Sequence, residues 1–547
     1  MNGGESKASS GGLGAWSVVV LAGLGVALVL TNPHFTFIDD ETSIIYGAAQ
    51  PAARIIGAFL HGTGMHEHPP LYDLLLHGWM RLVGEGLWAL RLPSIAFYLA
   101  GIWVLALAAS RMAGARAGRA LVWIAALWPY GFHYGRLAAW YSLCFLLVAL
   151  VTLAYLRLLD SRSLGSWIFL AAGALALVWG NYFGWALLAC LGADYLLRRR
   201  RDSRLPLRPW FVLAALLALS YLPLARAFWH ELLTHPTEGG HHLVARFLYG
   251  IYGLYTLGVS ESMAPWFWWL GVPAALATAL LLLALAAARQ PGRRFFGYFC
   301  ALFALMLFLG ILTTRRLLLI APWFLLLTAT LVSLEPVAPA AQSPRDGPSR
   351  GRTLLVAGLA VAFAIGWFGI LVPRHYAAPR FVEPWPQTAR QAAVALSQGA
   401  VVIGNNPSFF FYLGYAISSL DRHRLRPLHV FPYSGVYLPS VWIADGRPLR
   451  STVLLVKGVP VYGPRDPMAA AERWLDAHCR LKSDVRLLRD PGYRLKQHFF
   501  PHLGELPWRV ETRRYACASA SQSALPPVRA PLVRSPAAVV SRGRVSR

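Results

Sequence analysis

Residues 13–31 read LGAWSVVVLAGLGVALVLT, a run without a charged side chain, and residues 37–42, just beyond it, read FIDDET. As a helix the run is long enough to cross about 30 Å of hydrocarbon. The three consecutive acids after it are out of character with the chain around them. Its 547 residues carry 51 Lys and Arg against 25 Asp and Glu, a net charge of +26, and 56% of them are hydrophobic. Mean hydropathy is +0.47, too apolar for a soluble protein of ordinary composition. Only Lys7 precedes the first run and no small-residue cleavage site follows it, so it reads as a retained anchor rather than a signal peptide.

Working outward, apolar runs recur near 13–31, 88–110, 119–134, 137–157, 166–182, 183–197, 209–227, 265–288, 295–313, 316–334 and 353–373, about eleven spans. Arginines gather in four short connections: Arg111, Arg116 and Arg119; Arg198 to Arg201, Arg204 and Arg208; Arg289, Arg293 and Arg294; Arg345, Arg350 and Arg352. With eleven spans all four fall on one side, which the positive-inside rule makes the cytoplasm. The N-terminus is then cytoplasmic and residues 32–87, where acids outnumber arginines, face outward. Basic residues that sit between apolar runs mark topology, and no interleaved basic and aromatic groove points to nucleic acid. The expected location is the cytoplasmic (inner) membrane, crossed many times.

Residues 335–352 are rich in Pro, Ala and Ser and read as a cytoplasmic linker within a transmembrane domain of residues 1–373. Residues 374–517 have the composition of a small extracytoplasmic α/β domain, with strands at 400–404, 452–457 and 493–500 and helices at 387–397 and 468–481. Residues 518–547 form a disordered basic tail. Three of the five cysteines, Cys144, Cys190 and Cys300, lie inside apolar runs, which leaves Cys479 and Cys517 as the pair able to meet outside them. No internal repeat is evident.

In the outward loop, residues 68–79 read HPPLYDLLLHGW. A diproline followed by apolar residues at helical spacing predicts a helix on the membrane surface, leading through Leu90-Arg91-Leu92-Pro93-Ser94 into the next span. His61, His66, Glu67 and His68 do not fix a ligand geometry, so no metal site is assigned to them. Arg315 and Arg316 stand on the outward side against the positive-inside trend, where a charge is a functional candidate or an interfacial snorkel. Residues 266–269, WFWW, read as an interfacial aromatic belt.

Together, the acidic pair after the first span, the His-Pro-Pro-Leu-Tyr helix and the Arg-Leu-Pro-Ser start of the next span resemble the bacterial polyprenyl-phosphate-sugar-dependent glycosyltransferases. These are relatives of protein O-mannosyltransferases and lipid A aminoarabinose transferases in the GT-C class. The resemblance is densest over residues 35–160, and loosely includes Arg315 to Trp323 and Glu383-Pro384-Trp385 with residues 400–404. It implies a hexosyl or pentosyl transferase of GT-C fold that moves a sugar from a polyprenyl-phosphate donor, at the outer face of the membrane, to a hydroxyl of a glycan, lipid or protein, with inversion of the anomeric centre. A phosphate leaving group needs little acid help, so the demands are a carboxylate to deprotonate the nucleophile and cations for the phosphate.

By position the resemblance makes Asp40 and Glu41 the catalytic acids, with Asp39 taking the role if the alignment slips by one. The same three acids would also suit a helix N-terminus. Arg315, Arg316 and His68 are the phosphate-binding candidates. Relatives commonly read Glu-Ala-Arg-x-Tyr where this chain has Leu137-Ala138-Ala139-Trp140-Tyr141. Tyr141 is carried over to the substrate site, with Arg136, one helical turn before the missing arginine, as its compensation. No cofactor is assigned, although a divalent cation, Mg or Mn, is known to assist some relatives and has Asp40 or Glu41 to bind. Two other functions fit less of the sequence: a transporter or flippase of lipid-linked glycans, and a non-catalytic envelope assembly protein.

Overall fold

The computed structural model describes residues 13–61, 68–203, 205–225, 229, 243–287, 293–333, 350–372, 376, 383–404, 406–420, 442–444, 452–458, 469–488, 498 and 508–517. The chain divides into two compact units, Met1–Val382 and Glu383–Arg547.

The first unit is helical. After α1 (Gly14–Leu30) come three short helices, α2 (Asp39–Ala48), α3 (Ala52–His61) and α4 (Leu71–Val83). The diproline precedes α4, and Gly84 ends it at φ +93°, in the region that favours glycine. Longer helices follow: α5 (Leu92–Ala113), α6 (Ala115–Leu127), the short α7 (Pro129–Tyr134), α8 (Tyr141–Ser161), α9 (Leu164–Gly180), α10 (Gly184–Arg199) and α11 (Arg208–Tyr221). The unit closes with α12 (Leu243–Val259), α13 (Trp268–Ala287), α14 (Arg293–Phe308), α15 (Ala321–Ser333) and α16 (Arg350–Leu371).

Among the described residues four helices are long and apolar enough to cross a membrane: Leu92–Ala113, Tyr141–Ser161, Trp268–Ala286 and Thr353–Leu371. Each of the other expected spans also holds a helix, but a shorter one, so the count of eleven remains a reading of the sequence. Helix α12 was not among them. Its apolar run is broken by Arg246 and by glycines and tyrosines, which hides it from a hydropathy count.

Helices α8 and α15 are enclosed along most of their length and form the centre of the unit. Trp323 of α15 donates to Thr152 Oγ1 of α8 at 2.9 Å. On the other side α5 packs against α8 at Gly101, where a Cβ would come within 2.5 Å of the Phe145 ring. Small residues at such crossings let helices approach closely.

The 21 residues of α8 span about 30 Å and separate two polar ends. At its far end Asp160 pairs with Arg111 at 2.6 Å, and Arg162 with Asp202 at 2.6 Å. Buried Asp194 accepts from Tyr155 at 2.5 Å and Arg198 at 2.9 Å, and pairs with Arg294 at 3.5 Å. Three of the four arginine-rich connections therefore contribute to one end of the bundle. The near end of α8 carries Tyr141 and the acids of α2. Arg246 of α12 donates to Phe308 O at 2.8 Å, and Glu261, just past Val259, accepts from Tyr134.

The second unit is a five-stranded sheet with helices on both faces. Its strands are β1 (Val401–Gly404), β2 (Trp442–Ala444), β3 (Thr452–Gly458), β4 (Cys479–Leu488) and β5 (Trp508–Cys517), in the order β2-β1-β3-β5-β4. β1 and β3 run parallel and the other neighbours antiparallel. Helices α17 (Trp385–Ser397), α18 (Pro407–Leu420) and α19 (Ala469–His478) accompany it. On one face Val453 and Leu455 pack with Leu475 of α19; at the other, Gly458 lies against the Trp385 ring of α17. The expected helix over 468–481 stops at His478 because Cys479 begins a strand, paired with Cys517 in register and bonded to it as a disulfide. The strand expected at 493–500 lies outside the described residues except for His498.

Candidate active site

The loop between α1 and α5 is built around Arg91, the fully buried residue that precedes α5. Its guanidinium meets the Glu41 carboxylate in a two-pronged pair, Nε to Oε1 at 2.7 Å and Nη2 to Oε2 at 2.6 Å. The remaining donors reach Asn32 Oδ1 at 3.2 Å, Phe35 O at 3.0 Å and Thr36 O at 3.1 Å, and the group lies 4.0 Å from the centre of the Phe37 ring. Glu41 also accepts from the backbone N–H of Ala138 at 2.8 Å and of Ile38 at 3.1 Å. The Ile38 bond is the reach-back that caps a helix start. One buried carboxylate thus joins α2, α5 and the turn before α8, and charges out of water are tolerated only with partners of this quality.

Asp40 precedes Glu41 on α2, about 100° around the helix, and faces different partners. Its Oδ2 accepts from the Tyr141 hydroxyl at 2.9 Å and pairs with Arg315 Nη1. Neither contact uses Oδ1, and the side chain is 33% exposed. Burial by itself would push the carboxyl up. The charge of Arg315, the Tyr141 hydrogen bond and the charge of Arg316 outweigh it and hold Asp40 below its ordinary value.

Arg315 precedes a short 3-10 turn, Arg316–Leu319. Arg316 is buried, and its Nη1 donates to Ile311 O at 2.8 Å. His68 lies edge-on to Trp140 at 4.3 Å, and Trp140 is 4.1 Å from the Tyr141 ring. Asp40, Tyr141, Arg315, Arg316 and His68 are therefore brought to one place. Glu41 is adjacent, with its carboxylate held by Arg91 and two backbone donors.

Arg136 points elsewhere. It donates to Thr31 Oγ1 at 2.9 Å, close to Leu28 O, and lies over the rings of Phe35 and Phe132 at 4.3 Å each. A cation at the C-terminus of α1 offsets the helix dipole. The cation beside Asp40 is Arg315.

Glu41 is closed by Arg91, while Asp40 keeps Oδ1 clear of its contacts with Tyr141 and Arg315. Among the described residues no three His, Cys, Asp or Glu converge; His66 and Glu67 lie outside those residues.

Two features escaped the sequence reading. Arg91 stood inside a quoted motif, an arginine at the mouth of an apolar run, and was given no role. Glu261 follows α12 directly and was hidden with that helix.

Residues 67–225 match the family described as dolichyl-phosphate-mannose-protein mannosyltransferase. The fold is similar to that of ArnT from Cupriavidus metallidurans bound to undecaprenyl phosphate, with a TM-score of 0.53 and 14% identity over 93% of this chain and 99% of that one. The chain has the GT-C fold. The apo state of the same ArnT aligns over the same shares at 14% identity with a TM-score of 0.49. The arabinofuranosyltransferase AftD from Mycobacteria aligns at 16% identity and 0.42, over 92% of this chain and 40% of AftD. No curated protein matches by sequence. In this GT-C chain the family match runs from the residue before His68 to Ala225, four residues past α11. It includes Arg91 and Tyr141, while Asp40 and Arg315 lie on either side of it.

Proposed function

We propose that this chain transfers a hexosyl or pentosyl group from a polyprenyl-phosphate donor to an acceptor hydroxyl at the outer face of the cytoplasmic membrane. The observation that carries the proposal is the asymmetry of Asp40: one carboxylate oxygen is anchored by Tyr141 and Arg315, while the other is free of both on a partly exposed side chain.

In this reading the acceptor hydroxyl donates to Oδ1. Its oxygen forms the bond to the anomeric carbon, the bond from that carbon to the phosphate oxygen breaks, and the phosphate leaves with the electron pair. The proton passes to Asp40. A single displacement inverts the anomeric centre. Arg315 takes the phosphate, with Arg316 and His68 beside it, as guanidinium groups suit phosphate oxygens. Asp40 and the donor phosphate then compete for Arg315. Donor binding draws off the charge that keeps the carboxylate a weak base, so Asp40 becomes more basic when a substrate is present to attack.

Support for the donor comes from the ArnT likeness, a protein solved with undecaprenyl phosphate, and from the mannosyltransferase match. The outward placement is supported by the separation of the acids from the arginine-rich end along α8. The Cys479–Cys517 disulfide supports an extracytoplasmic second unit, because disulfides persist in oxidising compartments. Mass spectrometry of envelope glycans and glycolipids from cells with and without the protein tests the proposal and names the acceptor. Loss of one sugar is expected; unchanged glycans, with translocation of a lipid-linked glycan in proteoliposomes, would favour a flippase.

A further inference from the structure

Glu261 is a carboxylate that the reaction above does not use. It is 3% exposed, in the turn Ser260–Ser262 between α12 and α13, where all three residues are buried. Ser260 has φ +63°, the left-handed region that a residue with a Cβ keeps only where its surroundings enforce it. His133 Nδ1 lies 2.6 Å from Ser260 Oγ. Glu261 itself accepts from Tyr134 through Oε2 and from Tyr252 at 3.4 Å through Oε1.

These contacts lead to the phosphate side of the site. The Tyr134 hydroxyl is 3.2 Å from Thr314 Oγ1, and the Tyr130 hydroxyl donates to Thr314 O at 2.5 Å. Thr314 is the residue before Arg315. The side chain and the carbonyl of Thr314 are thus both held, by two tyrosines of α7, and one of these tyrosines is fixed by Glu261. A buried carboxylate is costly to take out of water, and the strained turn that presents it adds to that cost. A role in setting the position of a functional group accounts for both.

We infer that Glu261 is a positioning residue, which acts through Tyr134 and Thr314 to hold Arg315 where the donor phosphate arrives. This rests on the reading of Arg315 as the phosphate-binding cation. Glu261 touches no substrate, and its effect falls on donor recognition rather than on proton transfer.

The test compares wild type with Tyr134→Phe, Glu261→Gln and Glu261→Ala, measuring donor KM, acceptor KM and kcat separately, with thermal unfolding alongside. Tyr134→Phe and Glu261→Ala are expected to raise donor KM about tenfold, the equivalent of one well-placed hydrogen bond. Acceptor KM and kcat should stay within about twofold, and Glu261→Gln, which keeps an acceptor oxygen, should fall between. Unchanged donor KM in Tyr134→Phe overturns the inference, whether or not stability drops. That variant removes a single oxygen and so decides the matter even if Glu261→Ala does not fold. Should wild type transfer no sugar from any polyprenyl-phosphate donor, the proposed function fails by itself. Binding of undecaprenyl phosphate to the purified proteins then decides on Glu261: weaker binding by Tyr134→Phe sustains it, and equal or absent binding overturns it.

Discussion

Asp40 and Glu41 are adjacent in sequence, yet their carboxylates serve different ends: Glu41 closes on Arg91 inside the protein, and Asp40 holds Arg315 with one oxygen and leaves the other free of that contact. The rotation of about 100° between neighbours on a helix turns one carboxylate into the protein and the other towards Tyr141 and Arg315.

Breaking the buried pair is expected to damage the fold. Arg91→Ala or Glu41→Ala should each destabilise the first unit by about 3–5 kcal/mol, since each leaves a buried charge without its partner. Replacing both by Leu should cost less than either single change. Thermal unfolding in detergent checks this, and a double variant no better than the singles would contradict it.

Much of this site was legible in the sequence. The three acids, the diproline and Tyr141 are close along the chain, and their order carries the resemblance. The division of labour between Asp40 and Glu41 was not legible, because it depends on which helix face meets Arg91. The direction of Arg136 was hidden for a related reason: spacing along a helix places it near Ala139, but its contacts are with the C-terminus of α1, a partner from far along the chain. In the second unit, local pattern found β3 and the start of α19 but missed β4 and β5, whose exposed or charged residues are ordered by pairing with each other rather than by hydrophobic alternation.

Tyr141→Phe should lower kcat about tenfold with little change in stability, because it removes the hydroxyl that orients Asp40 and keeps the ring. Steady-state kinetics and a melting curve separate the two. An unaltered kcat would remove Tyr141 from the site.

Arg136→Met should behave in the opposite way. The α1 terminus loses its cation and the protein loses about 1–2 kcal/mol, while donor KM stays as in wild type. A large rise in donor KM would return Arg136 to the phosphate site.

The pH dependence follows from the lowered value of Asp40. A carboxylate less basic in the folded than in the unfolded chain contributes stability above its unfolded value, and this is lost as pH falls through the folded one. In the free enzyme Asp40 is therefore already ionised through the neutral range, and kcat/KM should fall only when pH drops below the ordinary carboxylate range. Arg315→Met removes the principal opposing charge and leaves burial to act, so the acid limb of kcat/KM should move to higher pH. A limb that stays in place would show that Arg315 does not set the Asp40 charge.

The central claim is that Asp40 takes the proton from the acceptor hydroxyl. Asp40→Asn keeps the size of the side chain and removes the base, so purified enzyme with a polyprenyl-phosphate sugar and its acceptor should lose about 10²–10⁴-fold in kcat, with an unchanged melting curve. Transfer by Asp40→Asn at the wild-type rate would contradict the account.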